Sequence, residues 1–212
     1  MIYLIGAPPR CGKTTLAKKM SIQTKIPWLS CDTLDSIAQE YTPAEQWAKK
    51  FPYSHLRRTT KPRSNDIFYQ KNSPAKIIRL LKQQARSVWP AMETAIACKI
   101  ADGNDYIIEG YHITPDFAGR MIKKFGKDKI RAVFLGKTDA KKFAIDAHKS
   151  TTPNDWLLVL TKKPETFLLV GKMVADFSRL IEKESAKNGL KCFKTDQDFE
   201  ITIDQAIKHL LG

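Results

Sequence analysis

The chain has 212 residues, a length typical of one domain with or without an insertion. Hydrophobic residues make up 42% of the sequence, which is enough for a sizeable core and excludes wholesale disorder. Thirty-six basic residues against 22 acidic ones give a net charge of +14, which favours an anionic partner such as a nucleic acid, a nucleotide or a phosphorylated metabolite.

No apolar run reaches the roughly 18 residues needed to cross a bilayer, and no basic segment precedes an apolar one at the N-terminus, as it does in a secretory signal. We therefore expect a cytoplasmic protein without a membrane partner. Cys11, Cys31, Cys98 and Cys192 are scattered, so we expect isolated buried thiols rather than a zinc site or disulfides. The oligomeric state stays open.

The first part of the chain predicts a strand, a loop and a helix, followed by a second strand. Residues 2–5 are a short apolar run, and apolar residues at helical spacing follow from Thr14. Residues 26–31 predict the second strand. Asp32 comes next and is predicted to cap a helix that begins at Thr33.

Residues 41–75 interrupt this alternation. They contain four prolines and few periodic apolar positions, which predicts an irregular insertion with short helices. From residue 74 to about 101, apolar residues spaced three or four apart predict one long helix. Pro90 is expected to kink or split it.

The second half of the chain returns to alternating strands and helices. Strands are predicted over residues 106–109, 130–135 and 192–195. Helices are predicted over residues 116–125, 138–149, 164–187 and 199–211, with the sequence STTPND at 150–155 as a break. Such alternation predicts an α/β fold with a five-stranded parallel sheet, helices on both faces and a ligand at the carboxyl ends of the strands.

The turn between the first strand and the first helix is a candidate phosphate-binding loop. Its sequence is GAPPRCGKTT, in which Ala7 replaces the first glycine of the Gly-x-x-x-x-Gly-Lys-Ser/Thr pattern and Gly6 supplies the flexibility. Backbone N–H groups of such a loop curl around phosphate oxygens, and a side chain at Gly12 would block that approach. The following helix directs its positive dipole end at the phosphates.

This loop predicts ATP and Mg²⁺ as cofactors. Lys13 is expected to bridge the outer phosphates, and Thr14 is expected to give its hydroxyl to the metal. The prolines stiffen the loop and remove two N–H donors. The expected nucleotide-binding residues are Gly6, Ala7, Pro8, Pro9, Arg10, Cys11, Gly12, Lys13, Thr14 and Thr15.

Three motifs together support a resemblance: LIGAPPRCGKTTLA, WLSCDTL after the second strand, and YIIEGYHITP after the long helix. The chain resembles the P-loop small-molecule and nucleotide kinases of the adenylate-kinase-like group. Within it the chain is most similar to bacterial 2-phosphoglycerate kinase-like proteins, in which a Glu-Gly-x-His-hydrophobic-x-Pro run follows a strand. The matching residues here are Glu109, Gly110, His112, Ile113 and Pro115.

The resemblance covers about residues 1–40 and 75–135 together with the final strand and helix. It implies a P-loop NTPase three-layer sandwich that forms a single domain over residues 1–212. It further implies an ATP- and Mg²⁺-dependent kinase that transfers the γ-phosphoryl group to a small anionic acceptor, 2-phosphoglycerate-like or nucleotide-like. The insertion at about 41–75 would be the acceptor lobe, and residues 138–164 would be a lid-like segment.

Two carboxylates are candidates for catalysis. Asp32 stands at the carboxyl end of the second strand, where a carboxylate can align or deprotonate an acceptor hydroxyl; a plain helix cap is the alternative. Glu109 ends an apolar strand, a costly place for an acid without a partner or a function. It is expected to hold Mg²⁺ together with Thr14, or to act as the base in place of Asp32.

The acceptor is expected to contact Asp32, Arg57, Arg58, His112 and Arg120. Arginine forks suit a phosphorylated acceptor because they bind its oxygens in pairs. For each of these basic residues a solvated surface role is the alternative, and for His112 it is a structural role.

The lid-like segment departs from the nucleotide-kinase pattern because no arginine lies between Arg131 and Arg179. Either lysines or Arg120 take over the stabilisation of the transferred phosphoryl group, or the lid is not catalytic. The lysines on offer are Lys141, Lys142, Lys149, Lys162 and Lys163.

The alternative function is a polynucleotide kinase or a nucleic-acid-binding ATPase that uses the basic insertion. Residues 57–86 carry nine basic side chains against one acid, but aromatic residues that could stack on bases are few and irregular there. A regulatory GTPase is disfavoured because the chain lacks Asn-Lys-x-Asp for guanine.

Overall fold

The computed structural model describes residues 1–150 and 155–212. Its centre is a five-stranded sheet in which all neighbouring strands are parallel. The strands are β1 (Ile2–Gly6), β2 (Trp28–Ser30), β3 (Tyr106–Gly110), β4 (Ile130–Gly136) and β5 (Lys191–Lys194). Their order across the sheet is β2-β3-β1-β4-β5. The predicted five-stranded parallel sheet is confirmed.

Helices pack around the sheet. In chain order they are α1 (Lys13–Thr24), α2 (Cys31–Glu40), α3 (Trp47–Lys50), α4 (Pro52–Thr59), α5 (Asn65–Lys71), α6 (Pro74–Ala101), α7 (Pro115–Phe125), α8 (Ala140–His148), α9 (Trp156–Val159), α10 (Pro164–Lys187) and α11 (Phe199–Leu211). A short 3₁₀ turn, Ala44–Gln46, precedes α3. Helices α1 and α11 contact each other and the sheet, whereas α6, α7 and α10 form a second group of mutual contacts against it. The sheet is therefore the middle layer of three.

The position of strand β1 explains why its sequence is a continuous apolar run. It lies between β3 and β4, and all five of its residues are buried. A parallel strand covered by helices on both faces has no solvent-facing side, so polar and apolar residues do not alternate along it. The short apolar run at the N-terminus of the sequence is the direct consequence.

One helix prediction was wrong in its first residue, and of the two outcomes expected at Pro90 the split is excluded. Helix α2 begins at Cys31 rather than Thr33, and its N-cap is Ser30, whose hydroxyl accepts a hydrogen bond from the Asp32 amide at 3.3 Å. Asp32 therefore lies in the first turn, and its carboxylate is not used as the cap. Helix α6 continues through Pro90, so this proline does not split it.

The insertion is more ordered than its proline content suggests. Its short helices α3, α4 and α5 bury Phe51 and Phe68 in the core, and α4 contacts the long helix α6. On α6, Gln84 accepts a hydrogen bond from the Ser54 amide at 2.9 Å. The insertion is thus packed against the three-layer sandwich.

Helix α9 is attached to the insertion through α5. The Asn65 side-chain amide donates to the Trp156 carbonyl at 3.1 Å and to the Thr161 hydroxyl at 3.0 Å, and the Asn65 backbone N–H donates to the Leu160 carbonyl at 2.8 Å. Asp66 accepts hydrogen bonds from the Lys162 amide and the Thr166 hydroxyl. Residues 151–154, part of the expected break and of the lid-like segment, lie outside the described residues.

Two of the four cysteines, Cys11 and Cys31, are fully buried, whereas Cys98 is exposed and Cys192 is half-buried. Burial raises the pKa of Cys11 to about 11 and the pKa of Cys31 well above its ordinary value. Both buried thiols are therefore protonated at neutral pH. In the part of the chain that the structure describes, no helix is both long and apolar enough to span a membrane.

The loop between β1 and α1 packs beneath α11. Gly12 has a φ of 94°, and a Cβ atom added there would lie 2.7 Å from Cε2 of the Phe199 ring. The glycine is thus required by the packing of Phe199 as well as by its positive φ.

Gly12→Ala should lower the free energy of unfolding by more than the cost of positive φ alone. Gly103→Ala is the matched control, because Gly103 has a φ of 69° and nothing within 4 Å of its added Cβ. We expect about 1–2 kcal/mol for the control and a further loss of about 1–3 kcal/mol for Gly12→Ala. Urea denaturation without nucleotide measures both, and equal losses would contradict the Phe199 contact.

Candidate functional site

A cleft of about 690 Å³ lies at the carboxyl ends of the strands. Lys13 and Thr14 after β1, Asp32 after β2, Tyr111 after β3 and Lys137 after β4 all line it. Parallel strands end at the same edge of a sheet, which brings residues far apart in sequence to one place. The predicted loop and Asp32 therefore share a single cleft.

Contacts of Cys11 hold the candidate phosphate-binding loop against the core. The Cys11 side chain points into the core, and its carbonyl accepts a hydrogen bond from the Thr195 hydroxyl at 3.1 Å. Arg10 and Gly12 both have positive φ values, 62° and 94°. Helix α1 begins directly afterwards at Lys13, and the first N–H groups of a helix have no partners within it. The loop and the helix start thus present N–H donors at the cleft, as an anion site requires.

Glu109 lies beneath the start of α1. Its Oε1 accepts a hydrogen bond from the Thr14 hydroxyl at 3.1 Å, and the residue is only 1% exposed. Burial raises the pKa of the Glu109 carboxyl, and the positive charge of Lys13 opposes this rise. Among the described residues, Oε2 of Glu109 is buried without a hydrogen-bond partner.

The Thr14–Glu109 pair fits a magnesium site of the kind that phosphates complete. Mg²⁺ prefers hard oxygen ligands and takes one or two protein oxygens together with water and substrate phosphates. A hydroxyl and a carboxylate with an unpartnered oxygen match that donor set. Within the described residues, no three His, Cys, Asp or Glu side chains cluster as a metal site would need without phosphate.

A second group of polar side chains lies around Asp32. Its side chain is 63% exposed, and its Oδ1 lies 3.7 Å from Nδ1 of His112, which is fully buried. Nε2 of His112 lies 3.8 Å from Oδ2 of Asp35. The structure thus places His112 behind two carboxylates, where it can contact them but not a ligand in the cleft directly.

Asp35 was missed in the sequence. It lines the cleft three residues after Asp32, on the same face of α2, and is 7% exposed. Its Oδ2 accepts hydrogen bonds from Gln39 at 2.9 Å and from Gln84 at 2.8 Å. The i, i+3 spacing of the two acids was the signal that could have identified it.

Arginines of the insertion form another wall of the cleft. Arg57 donates to Asn65 at 2.9 Å and lies over the Phe68 ring, and Arg58 donates to Gln39 at 3.3 Å. Arg63 joins them in the lining. The aromatic and amide contacts orient the guanidinium groups of Arg57 and Arg58 at the cleft.

The cations expected from the lid-like segment are not at the site. None of the five lysines proposed from the sequence belongs to the cleft lining, which instead includes Arg10 and Lys137. Arg120 lies elsewhere, over the Trp89 ring in a separate groove. Its assignment to the acceptor site is therefore corrected. Lys137 directly follows β4, and that position at a strand end could have identified it.

The fold is similar to that of two solved kinase structures. A gluconokinase from Sinorhizobium meliloti 1021 is similar with a TM-score of 0.53 at 13% identity, covering 99% of this chain and 90% of the other. A sugar kinase from Janibacter sp. HTCC2649 is similar with a TM-score of 0.53 at 12% identity, covering 99% and 92%. At such identities the likeness concerns the fold.

One sequence relative is a mevalonate-3-phosphate 5-kinase from Thermoplasma acidophilum, 32% identical over 124 residues. The match covers 58% of this chain and 56% of the relative, so the chain spans about half the length of that protein. No family model matches the chain. The relative and both structural neighbours are kinases.

Glu109→Gln should raise the thermal stability at neutral pH and remove a magnesium effect. Because the pKa of Glu109 is raised in the folded state, its ionised form destabilises the fold once the pH exceeds the unfolded value of about 4.3. The variant avoids this penalty, and its Tm should rise by about 2–4 °C for each kcal/mol relieved. The gain should vanish near pH 3.5, where the carboxyl is protonated in both states.

The same melting curves measure the effect of Mg²⁺ on the melting temperature. Mg²⁺ added to ADP should raise the Tm of the unmodified protein beyond ADP alone, and Glu109→Gln should lose that increment. An unchanged increment in the variant would rule out Glu109 as part of the magnesium site.

Proposed function

We propose that this protein is an ATP- and Mg²⁺-dependent kinase that transfers the γ-phosphoryl group to the hydroxyl of a small anionic acceptor. The observation that carries the proposal is the shared cleft: the phosphate-binding loop, the carboxylates of α2 and the arginines of the insertion all line it. In this proposal the insertion at about 41–75 is the acceptor lobe, and residues 138–164 are the lid of one kinase domain.

The chain's own residues have distinct roles in the transfer. The acceptor oxygen attacks the γ-phosphorus while the bond from that phosphorus to the β-γ bridging oxygen breaks, so the products are ADP and the phosphorylated acceptor. Lys13 and the loop N–H groups bind the β and γ oxygens and stabilise the charge that develops there. Thr14 and Glu109 would hold Mg²⁺, which would neutralise phosphate charge when bound.

Asp32 is the base in this proposal. Its exposed carboxylate lines the cleft, whereas Glu109 is buried and already hydrogen-bonded to Thr14. A base must reach the proton that it removes. Asp35 also lines the cleft, and the buried His112 lies close to both carboxylates, so that it positions the Asp32 side chain in this proposal.

The acceptor class follows from the arginine wall. Arg57, Arg58 and Arg63 suit a ligand that already carries a phosphate or a carboxylate, since guanidinium groups bind paired oxygens. The relative named above is a kinase of mevalonate 3-phosphate, an acceptor that is already phosphorylated. We propose a phosphorylated acceptor with a free hydroxyl, such as 2-phosphoglycerate or a nucleotide.

A nucleic-acid acceptor is the second candidate, supported by the basic cavity around Arg57, Arg58, Lys61 and Arg63. Tyr53 is the aromatic residue in the lining of this cavity, and two further rings nearby are covered, because Arg57 lies over Phe68 and Arg58 lies 3.9 Å from the Trp47 ring centroid. Bases could not stack on these two rings without displacing the arginines. Salt-dependent binding of a labelled oligonucleotide tests this candidate.

Lys13→Ala should abolish phosphoryl transfer. Turnover is measured with Mg-ATP against a panel of phosphorylated hydroxy acids, sugars and nucleosides, and Lys183→Ala, an exposed lysine on α10, is the matched control. We expect a loss of at least about 100-fold in kcat for Lys13→Ala, because the charge on the β and γ oxygens is uncompensated. Near-normal turnover would remove this mechanism.

Asp32→Asn should lower kcat by about 100-fold or more while the KM for ATP changes little, because the asparagine amide cannot accept the proton. Steady-state kinetics with the acceptor found in the panel give both constants. Matching losses in kcat and ATP affinity would assign Asp32 a structural role in the cleft instead.

A further inference from the structure

Arg10 occupies an unusual position in the loop. It has a φ of 62°, in the left-handed region that arginine rarely adopts, and it follows two prolines. The next residue, Cys11, turns its side chain into the core, so Arg10 projects from the loop on the cleft side, where it belongs to the lining. The loop therefore carries a guanidinium group beside Lys13.

The Arg10 side chain is anchored by an acid at the start of α9. Its Nη1 forms an ion pair with Oδ2 of Asp155, whose side chain is 2% exposed, while that of Arg10 is 21% exposed. Among the described residues, no hydrogen bond is made by Nε or Nη2 of Arg10. With respect to the described residues, the anchored guanidinium group thus has N–H donors available at the cleft.

Asp155 is itself held in place. Its Oδ1 accepts a hydrogen bond from the Leu157 amide at 3.0 Å, which caps α9, and its Oδ2 accepts one from the Ser150 hydroxyl at 2.8 Å. Burial alone would raise the pKa of Asp155, but Arg10 and these hydrogen bonds outweigh it and lower the pKa. Helix α9 is fixed to the insertion through Asn65. Asp155 is therefore a rigid, ionised anchor.

We propose that Arg10 binds the γ-phosphate of the nucleotide and stabilises the transferred phosphoryl group, and that Asp155 is the positioning residue that holds its guanidinium group in place. This inference rests on the proposed kinase function. It accounts for the absence of arginine between Arg131 and Arg179: the arginine that phosphoryl transfer needs comes from the loop, and the lid-like segment supplies its carboxylate anchor.

The proposal predicts that loss of Arg10 changes the affinity for one of two nucleotides that differ by one phosphate. Affinities for Mg-ADP and for the non-hydrolysable Mg-AMP-PNP are measured by calorimetry, without any acceptor. Arg10→Ala should weaken AMP-PNP binding by about 10- to 100-fold, as expected for a lost charge-assisted hydrogen-bonded pair, and should leave ADP binding within about 2-fold. Lys13→Ala should weaken both nucleotides. Arg79→Ala, an exposed arginine on α6 outside the cleft, is the matched control and should change neither.

Asp155→Asn tests the anchor. Asparagine caps a helix as well as aspartate does, so α9 keeps its cap while Arg10 loses its ionic partner. We expect a selective loss for AMP-PNP, smaller than that of Arg10→Ala. The melting temperature should fall, because the ion pair of the buried carboxylate with Arg10 is lost, so binding is compared at a temperature at which the variant is folded. In the double variant, Asp155→Asn should add nothing to Arg10→Ala, because the anchor acts only through the arginine.

The outcomes distinguish this inference from the function on which it rests. If the unmodified protein binds neither nucleotide, the proposed kinase function fails. If it binds both and Arg10→Ala loses them equally, Arg10 only shapes the loop, and the inference is overturned while the function stands. Unchanged AMP-PNP binding in Arg10→Ala overturns the inference in the same way.

Discussion

The site depends on the central position of β1 in a parallel sheet. Gly6, its last residue, pairs with Gly110 of β3 and with Phe134 of β4, so the chain leaves all three strands at the same edge. The exit is crowded, because a Cβ atom at Gly6 would lie 2.4 Å from the Ile113 carbonyl. Only a glycine permits the loop after β1 to turn so close to the chain after β3.

Two buried carboxylates near the cleft lower the stability of the folded protein. Glu109 and Asp35 are buried carboxylates, and each has one oxygen without a partner among the described residues. Buried acids are unfavourable unless they are paired or hydrogen-bonded. The positive charge of Lys13 partly offsets the cost of burying Glu109, and hydrogen bonds from two side-chain amide groups offset the cost of burying Asp35. Unpartnered oxygens of this kind are frequent where a protein keeps donor atoms ready for a ligand, which is the reason that they support the proposed function.

A continuous set of polar contacts joins the two sides of the cleft. Arg10 of the loop pairs with Asp155 at the start of α9, α9 is bonded to Asn65, and Asn65 accepts a hydrogen bond from Arg57 of the insertion. The nucleotide side and the acceptor side of the proposed kinase are therefore mechanically connected. Contacts of this kind can fix the distance between two bound substrates, which in-line transfer requires.

The sequence alone determined the five strands, the bounds of the long helices and the loop with Lys13 and Thr14, because hydrophobic periodicity and turn chemistry are local properties. Helices Pro164–Lys187 and Phe199–Leu211 agree with the predicted limits to the residue. Only the tertiary structure decided which distant side chains come into contact: it brought Asp35 and Lys137 to the cleft, placed Asp155 against Arg10, and placed Arg120 in a separate groove. Contacts between distant residues depend on how helices pack and where strands end. No local pattern in the chain encodes the distances between such residues.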